Sequence, residues 1–211
     1  MEDVKRVGKR TQKARETRRR ILQAAGELFV RDGYGTTNLQ DIADKAGVAV
    51  QTIYFVFGNK RSLLKELVDV TIAGDDEPVA TMDRPWFHAA MAAERAEEHL
   101  RAHVRGARGV LERVAPVMKV LSTAAAMDPE VAALWSYDVD PRYTVQRAAA
   151  DALMAKPGAR AGVSAEFAAD VLYTLLSPEV YLQFVEERGW RPEQWEEWIH
   201  GTLAAQLLQP E

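Results

Sequence analysis

The sequence predicts an all-α fold, and three observations carry that prediction. Apolar residues recur at helical spacing through most of the 211 residues, glycines and prolines punctuate them at intervals of about one helix, and no stretch alternates with period two long enough to make a strand. No internal repeat of roughly 20 to 50 residues interrupts this pattern. With 47% hydrophobic residues the chain supplies enough apolar surface for one large domain or two small ones.

The first amphipathic helix is expected from Thr17 to Val30, where Ile21, Leu22, Ala24, Ala25, Leu28 and Phe29 share one face. It closes near Arg31-Asp32-Gly33, because glycine takes the left-handed conformation that ends a helix. Gly35, Thr36 and Thr37 form a turn, and either Thr37 or Asn38 is the N-cap of a short helix that points Leu39, Ile42 and Ala43 inward and stops at Gly47. A third helix runs from about Val50 to Val56. After Gly58-Asn59, Leu63, Leu64, Leu67 and Val68 carry a fourth over Lys60 to Ile72.

Between Gly74 and Pro85 the residues Asp75, Asp76, Glu77 and Pro78 read as a connecting loop. Further helices are expected at about 86 to 107, 109 to 126, 129 to 136, 141 to 155, 164 to 187 and 192 to 208. Their separators are Gly109, Asp128-Pro129, Asp140-Pro141, Pro157 to Gly162, and Gly189 to Pro192.

A net charge of −4 conceals two halves of opposite sign. Residues 1–74 hold 14 Lys and Arg against 9 Asp and Glu, while residues 75–211 hold 13 against 22. The basic excess begins with Lys5, Arg6, Lys9, Arg10, Lys13, Arg15, Arg18, Arg19 and Arg20. Such asymmetry points to a part that faces nucleic acid joined to a part with another task. The absence of cysteine excludes disulfides, thiolate metal sites and cysteine nucleophiles, and leaves the cytoplasm as the expected location. No apolar stretch approaches the length of a membrane span, and no apolar run backs the basic first residues, so neither a secretion signal nor a membrane anchor is expected.

Residues 38–57 have the make-up of a helix-turn-helix, in which one helix braces a second whose free face enters the major groove. Ile42 and Ala43 supply inner contacts, Gly47 the tight turn, Val48 the packing behind it, and Ile53 the anchor of the second helix. Its outward positions are then Val50, Gln51, Tyr54 and Phe55, with Thr52 near the backbone. Gln51 can pair bidentately with adenine, the Tyr54 hydroxyl suits a phosphate, and Val50 and Phe55 can touch only apolar features such as a thymine methyl. Lys60, at the start of the next helix, favours a phosphate through its ammonium and the helix N-terminus.

The run RRRILQAAGELFVRDGYGTTNLQDIADKAGVAVQTIYFVFGNKRSLL resembles the DNA-binding domain of the TetR family. The elements that carry the likeness are the helix face, the GY turn, Thr-Thr, IA, AGV, T-I-Y, and the Lys and Leu that follow the turn. The resemblance implies that Thr37, Tyr54 and Lys60 contact phosphates, that Ala49, Val50 and Gln51 begin the recognition helix, and that Thr52 lies near the backbone. Two positions depart from the family's pattern: Val56 stands where many members carry histidine, and Phe55 where a polar or hydroxylated aromatic is common.

The expected organisation is therefore a basic flexible arm at 1–16, a three-helix helix-turn-helix DNA-binding domain at 17–73, a linker at 74–85, and a C-terminal helical effector-binding and dimerisation bundle at 86–211. The resemblance implies a homodimer on a palindromic double-stranded DNA operator, released by a small effector and usually repressing. The last two long helices would form the interface, where Phe167, Val171, Leu175, Phe184, Trp195, Trp198, Ile199 and Leu203 are the candidate anchors. An apolar or aromatic effector would meet Phe87, Met91, Met118, Leu121, Trp135, Tyr137, Tyr143 and Tyr173. The same composition also suits ordinary core packing.

His99 and His103 stand four apart, as two metal ligands on one helix face would, but Glu98 and His88 do not complete the set. Solvated side chains are the expected reading, with no metal and no cofactor. No nucleophile elbow or phosphate loop accompanies the serines, histidines and aspartates, so no enzymatic activity is expected. A helical adaptor that keeps the fold without DNA would be marked by loss of Thr37, Tyr54 or Lys60, and all three are present.

Overall fold

The computed structural model describes residues 2–74, 79–134 and 140–210, and among them the only β-type pairing is one isolated bridge, Ala159 to Leu208. Eleven helices occur among these residues: α1 Glu2–Asp32, α2 Leu39–Ala46, α3 Val50–Phe57, α4 Lys60–Ala73, α5 Pro85–Ala92, α6 Ala96–Met127, α7 Pro129–Ala133, α8 Pro141–Met154, α9 Ala165–Leu175, α10 Pro178–Leu182 and α11 Pro192–Leu207. A 3₁₀ turn at Thr81–Asp83 and a π-helical turn at Gln183–Glu187 complete them. No helix of the described residues is long and apolar enough to cross a membrane.

By packing, the chain divides into two units: Met1–Thr71 with Val117–Trp135, and Ile72–Pro116 with Ser136–Glu211. The crossing near residue 72 falls just ahead of the expected linker, of which residues 75–78 lie outside the described set. The expected C-terminal domain does not keep to itself, however. Val117, Val120, Leu121 and Ala124 from the end of α6, and Val131 of α7, join the N-terminal core with Ile21, Phe29, Ile42, Ile53, Leu63 and Leu64. Arg61 on α4 holds this segment through Asp128, at 2.8 Å, and Glu130. Asp128 also caps α7 by accepting the Glu130 N–H at 3.0 Å.

Three helix boundaries differ from the sequence expectation, each for a local reason. The first helix reaches back to Glu2, where a flexible arm was expected over 1–16, because Lys, Arg, Gln and Glu are good helix formers. Gly109 does not separate two helices: α6 runs through it for 32 residues, since a glycine inside a helix costs only about 1 kcal/mol. The break comes earlier instead, at Ala93, whose extended ψ of 139° ends α5. The span expected as one helix over 164–187 stops at Leu176. There Ser177 caps α10 by accepting the Val180 N–H at 3.2 Å, and Pro178 occupies its first turn.

In the second unit Trp195 of α11 is fully buried and meets Tyr181 of α10 edge to face at 5.0 Å. Arg108 of α6 pairs with Glu193 at 2.8 Å and Glu196 at 2.6 Å on α11. Lys156 donates to the carbonyls of Met91 and Ala93, at 3.0 and 2.7 Å, satisfying acceptors at the end of α5. Trp86 lies so close over Gly106 that a Cβ there would fall 2.0 Å from its ring.

Candidate nucleic-acid interface

α2 is fixed at both ends. Asn38 accepts the Asp41 N–H at 2.9 Å while Asp41 accepts the Asn38 N–H at 3.2 Å, a reciprocal capping box. At the other end Gly47 adopts φ 65°, a conformation that costs any other residue, and Val48 N–H closes on the Ala43 carbonyl at 3.0 Å. Leu39, Ile42, Ala43 and Ala46 bury the inner face. Lys45 adds a 2.8 Å ion pair to Glu27 of α1.

α3 follows after a short turn and is anchored from inside by the buried Ile53 and Phe57, with Val50 and Val56 partly buried against the same core. Its N-cap is Ala49, which offers no side-chain acceptor, so no side chain caps its first turn. Gln51, Tyr54 and Phe55 face outward, the last two 55% and 91% exposed, and Val50, Thr52 and Val56 are partly covered. Ala49 is exposed. The structure thus brings Ala49, Val50, Gln51, Thr52, Tyr54 and Phe55 together on one short helix whose free face carries no charge.

A groove of about 540 Å³ runs beside this helix, lined by Asn38, Leu39, Gln40, Val50, Tyr54, Asn59 and Lys60. Asn59 has a second task there, capping α4 by accepting the Ser62 N–H at 2.9 Å. Lys60 sits at the groove but is bound from within. Its ammonium donates to the carbonyls of Tyr34 at 2.7 Å and Thr37 at 2.9 Å, and lies 4.3 Å from the Tyr34 ring centre. Burial lowers its pKa.

Thr37 departs from its expected role. It is only 3% exposed, and its hydroxyl donates to the Gly33 carbonyl at 2.9 Å, closing the end of α1. Its side chain is turned inward, where the hydroxyl satisfies a carbonyl just past the end of α1. Tyr34, which holds Lys60, and Asn38, Gln40 and Asn59, which line the groove, are not among the candidates that the sequence reading singled out. The GY turn and the Asn-Lys step before α4 were their signals.

The exposed side chains on the described part of α1 include Lys13, Arg15, Arg18, Arg19 and Arg20. Arg19 pairs with Glu16 at 3.0 Å, and Arg18 bridges to Glu66 at 2.5 Å while its guanidinium lies 5.3 Å from the Phe57 ring centre. The same unit therefore carries a basic surface on α1 and a neutral reading helix.

The candidate residues of the second unit divide. Phe167 and Trp198 are exposed, at 49% and 40%, and Val171, Leu175 and Phe184 are partly covered. Phe184 lies tilted against Trp190 and Trp198, with ring centres 4.7 Å apart in each pair. Trp195, Ile199 and Leu203 are fully buried in the unit's own core and are corrected accordingly: they have no surface left for a second subunit.

Of the effector candidates, Phe87 is buried and Met91 partly so, both on α5. Met118 and Leu121 belong to the N-terminal core, because the end of α6 packs there. Tyr143 and Tyr173 sit on α8 and α9, bonded through their hydroxyls to Asp170 at 3.1 Å and Asp140 at 2.6 Å. Trp135 and Tyr137 lie outside the described residues.

His99 and His103 are not solvated, contrary to expectation. Both are 1% exposed, and His103 Nε2 lies 2.9 Å from Gln146 Oε1. Burial lowers both pKa values, with His103 and Lys156 adding to the effect at His99, which is pushed down to about 4. Among the described residues no group of three or more His, Asp or Glu is placed to hold a metal ion.

Residues 21–67 match the family described as bacterial regulatory proteins, tetR family. The HTH-type transcriptional regulator TtgR of Pseudomonas putida is 41% identical over 63 residues, 30% of this chain and 30% of TtgR. The match to such relatives thus spans under a third of their length and is the DNA-binding part. A Saccharomonospora viridis protein solved in complex with choline shares the fold, with TM-score 0.70 and 21% identity over 92% of this chain and 99% of that one. So does the fatty acid degradation regulator FadR from Bacillus halodurans, with TM-score 0.66 and 20% identity over 88% of this chain and 93% of that one. The helix-turn-helix geometry and the matched segment agree: residues 21–67 are similar to the DNA-binding part of the tetR family of bacterial regulatory proteins, and the chain shares its fold with solved proteins described as transcriptional regulators.

Proposed function

We propose that this protein is a sequence-specific transcriptional regulator that binds a palindromic DNA operator as a homodimer and represses until a small effector releases it. The observation that carries the reading is α3 itself: Ile53 and Phe57 lock it from inside while Gln51, Tyr54 and Phe55 project with nothing of the unit over them. Gln51 reads a base edge, Tyr54 and the groove beside Lys60 take a phosphate, and Ala49, Val50 and Thr52 fit close against the DNA. Two such helices in successive major grooves stand about 34 to 36 Å apart.

The exposed Phe167 and Trp198, with Val171, Leu175 and Phe184, serve as the dimer contact. Phe87 and Met91 remain as contacts for an apolar or aromatic effector. One protein of this fold was solved in complex with choline. The protein works by binding rather than catalysis, in the cytoplasm where its DNA lies.

Purified protein mixed with random duplex DNA should enrich a palindrome and bind it saturably, more weakly as salt rises. No saturable binding to any DNA at low or moderate salt would overturn the reading. A broad panel of apolar and aromatic compounds should contain one that weakens the complex; a panel without effect removes the effector from the proposal. Trp198→Glu should shift the protein from dimer to monomer in light scattering, and an unchanged mass would remove this interface.

A further inference from the structure

Phe55 is 91% exposed, more than any other large hydrophobic side chain among the described residues, the next being Met127 at 76%. It stands between the buried Ile53 and Phe57, two residues from each, so the helical rotation of about 200° carries its ring to the side opposite the core. Gln51 lies one turn earlier on the same stripe. Along the whole of Val50–Phe57 there is no charged residue. A reading helix with one amide, one phenol and one bare phenyl ring outward must take part of its information from apolar contact.

We infer that Phe55 is a specificity-determining residue that reads the C5-methyl group of a pyrimidine in the major groove, whichever pyrimidine carries it. The inference rests on the reading of α3 as the helix that enters that groove. A phenyl ring has neither donor nor acceptor, so it cannot tell the O4 acceptor of thymine from the N4 donor of cytosine. It can tell a methyl group from its absence. Thymine and 5-methylcytosine present that methyl at the same place, and uracil and cytosine lack it. The stripe shared with Gln51 sets the spacing: four residues of helix span about 6 Å, close to two base steps of about 3.4 Å. The methyl therefore lies one or two steps from the adenine that Gln51 reads.

The test uses the full-length protein and a site selected from random duplex DNA, resynthesised with each thymine in turn replaced by deoxyuridine. One or two positions per half-site should lose affinity by about fourfold, the ratio that follows from exposing one methyl-sized group. The loss should vanish in Phe55→Ala and persist in Phe55→Leu, and at those positions 5-methylcytosine should restore binding that cytosine loses. Because the ring is exposed, both variants should melt like the parent, which separates a reading defect from misfolding.

A flat deoxyuridine series overturns the inference, as does an equal series in parent and Phe55→Ala, or 5-methylcytosine no better than cytosine. If Phe55→Ala instead straightens bent DNA while the series stays flat, the ring is a wedge between base steps and the methyl readout is wrong. A protein that selects no site at all overturns the DNA-binding reading, and this inference with it.

Discussion

The interior of the N-terminal unit is almost wholly hydrocarbon, whereas the second unit buries three histidines and a glutamine. Thr37 is the one buried polar side chain among the described residues of the first, and it is bonded to a carbonyl. The second holds His99, His103, Gln146, Ser177 and His200 below the surface. The first unit therefore draws its order from shape, helix caps and ion pairs at its surface, and buries no imidazole among its described residues. The second has imidazoles that stay neutral only while burial holds their pKa values down. A rigid reader and a titratable partner unit have been built from the same helical material.

The largest effect should come from opening the apolar interior. Ile42→Ala removes a fully buried side chain from the brace of α3 and should lower stability by about 2 to 5 kcal/mol in chemical denaturation. A loss below about 1 kcal/mol would mean that this core is looser than its geometry.

The contrast in titration comes next. The folded pKa of His99, about 4, lies below the unfolded value near 6.5, so between these values the unfolded chain holds the proton that the folded one refuses. Its contribution is complete above pH 6.5 and is lost as pH falls toward 4, by on the order of 3 kcal/mol, with His103 acting in the same direction. Denaturation curves of the parent should show this slope, and those of His99→Leu a flatter one. An identical slope in both would assign the pH response elsewhere.

Gly106→Ala drives a Cβ into the Trp86 ring and should cost about 1 to 3 kcal/mol, with a change in tryptophan fluorescence. Unchanged fluorescence would show that Trp86 has other room. Asn38→Ala removes the capping box of α2 and should cost about 1 kcal/mol, less than either core change. Gln51→Ala should leave melting unchanged within about 0.5 kcal/mol while relaxing preference at one base pair by about 1 to 3 kcal/mol. Equal weakening on every sequence would make Gln51 a backbone contact instead.

What the sequence could reveal follows the range of the interactions concerned. Ile42, Gly47 and Ile53 could be assigned because a brace, a turn and an anchor are fixed within a dozen residues. Trp195 and Trp198 could not be told apart: they stand less than one turn apart, and which one is buried depends on Tyr181 and the neighbouring helices. Met118 and Leu121 look the same whether they line a cavity or complete the core of a distant segment, and only the packing of α6 decides. Lys60 was legible as a cation near the reading helix, but not as one bound to carbonyls 26 and 23 residues earlier. Solvation misled in the same way at His99 and His103, since a polar residue in an amphipathic pattern does not announce its burial.

The two carbonyl bonds and the Tyr34 ring that hold Lys60 have a consequence for recognition. A free surface lysine gives up about 2 kcal/mol of rotamer freedom when a partner fixes it. Here folding has removed most of that freedom before any partner arrives. An anion entering the groove would meet a cation that is held still and cannot follow it. The lysine therefore offers its remaining N–H at one place, and a negative charge elsewhere in the groove gains only the longer-range attraction.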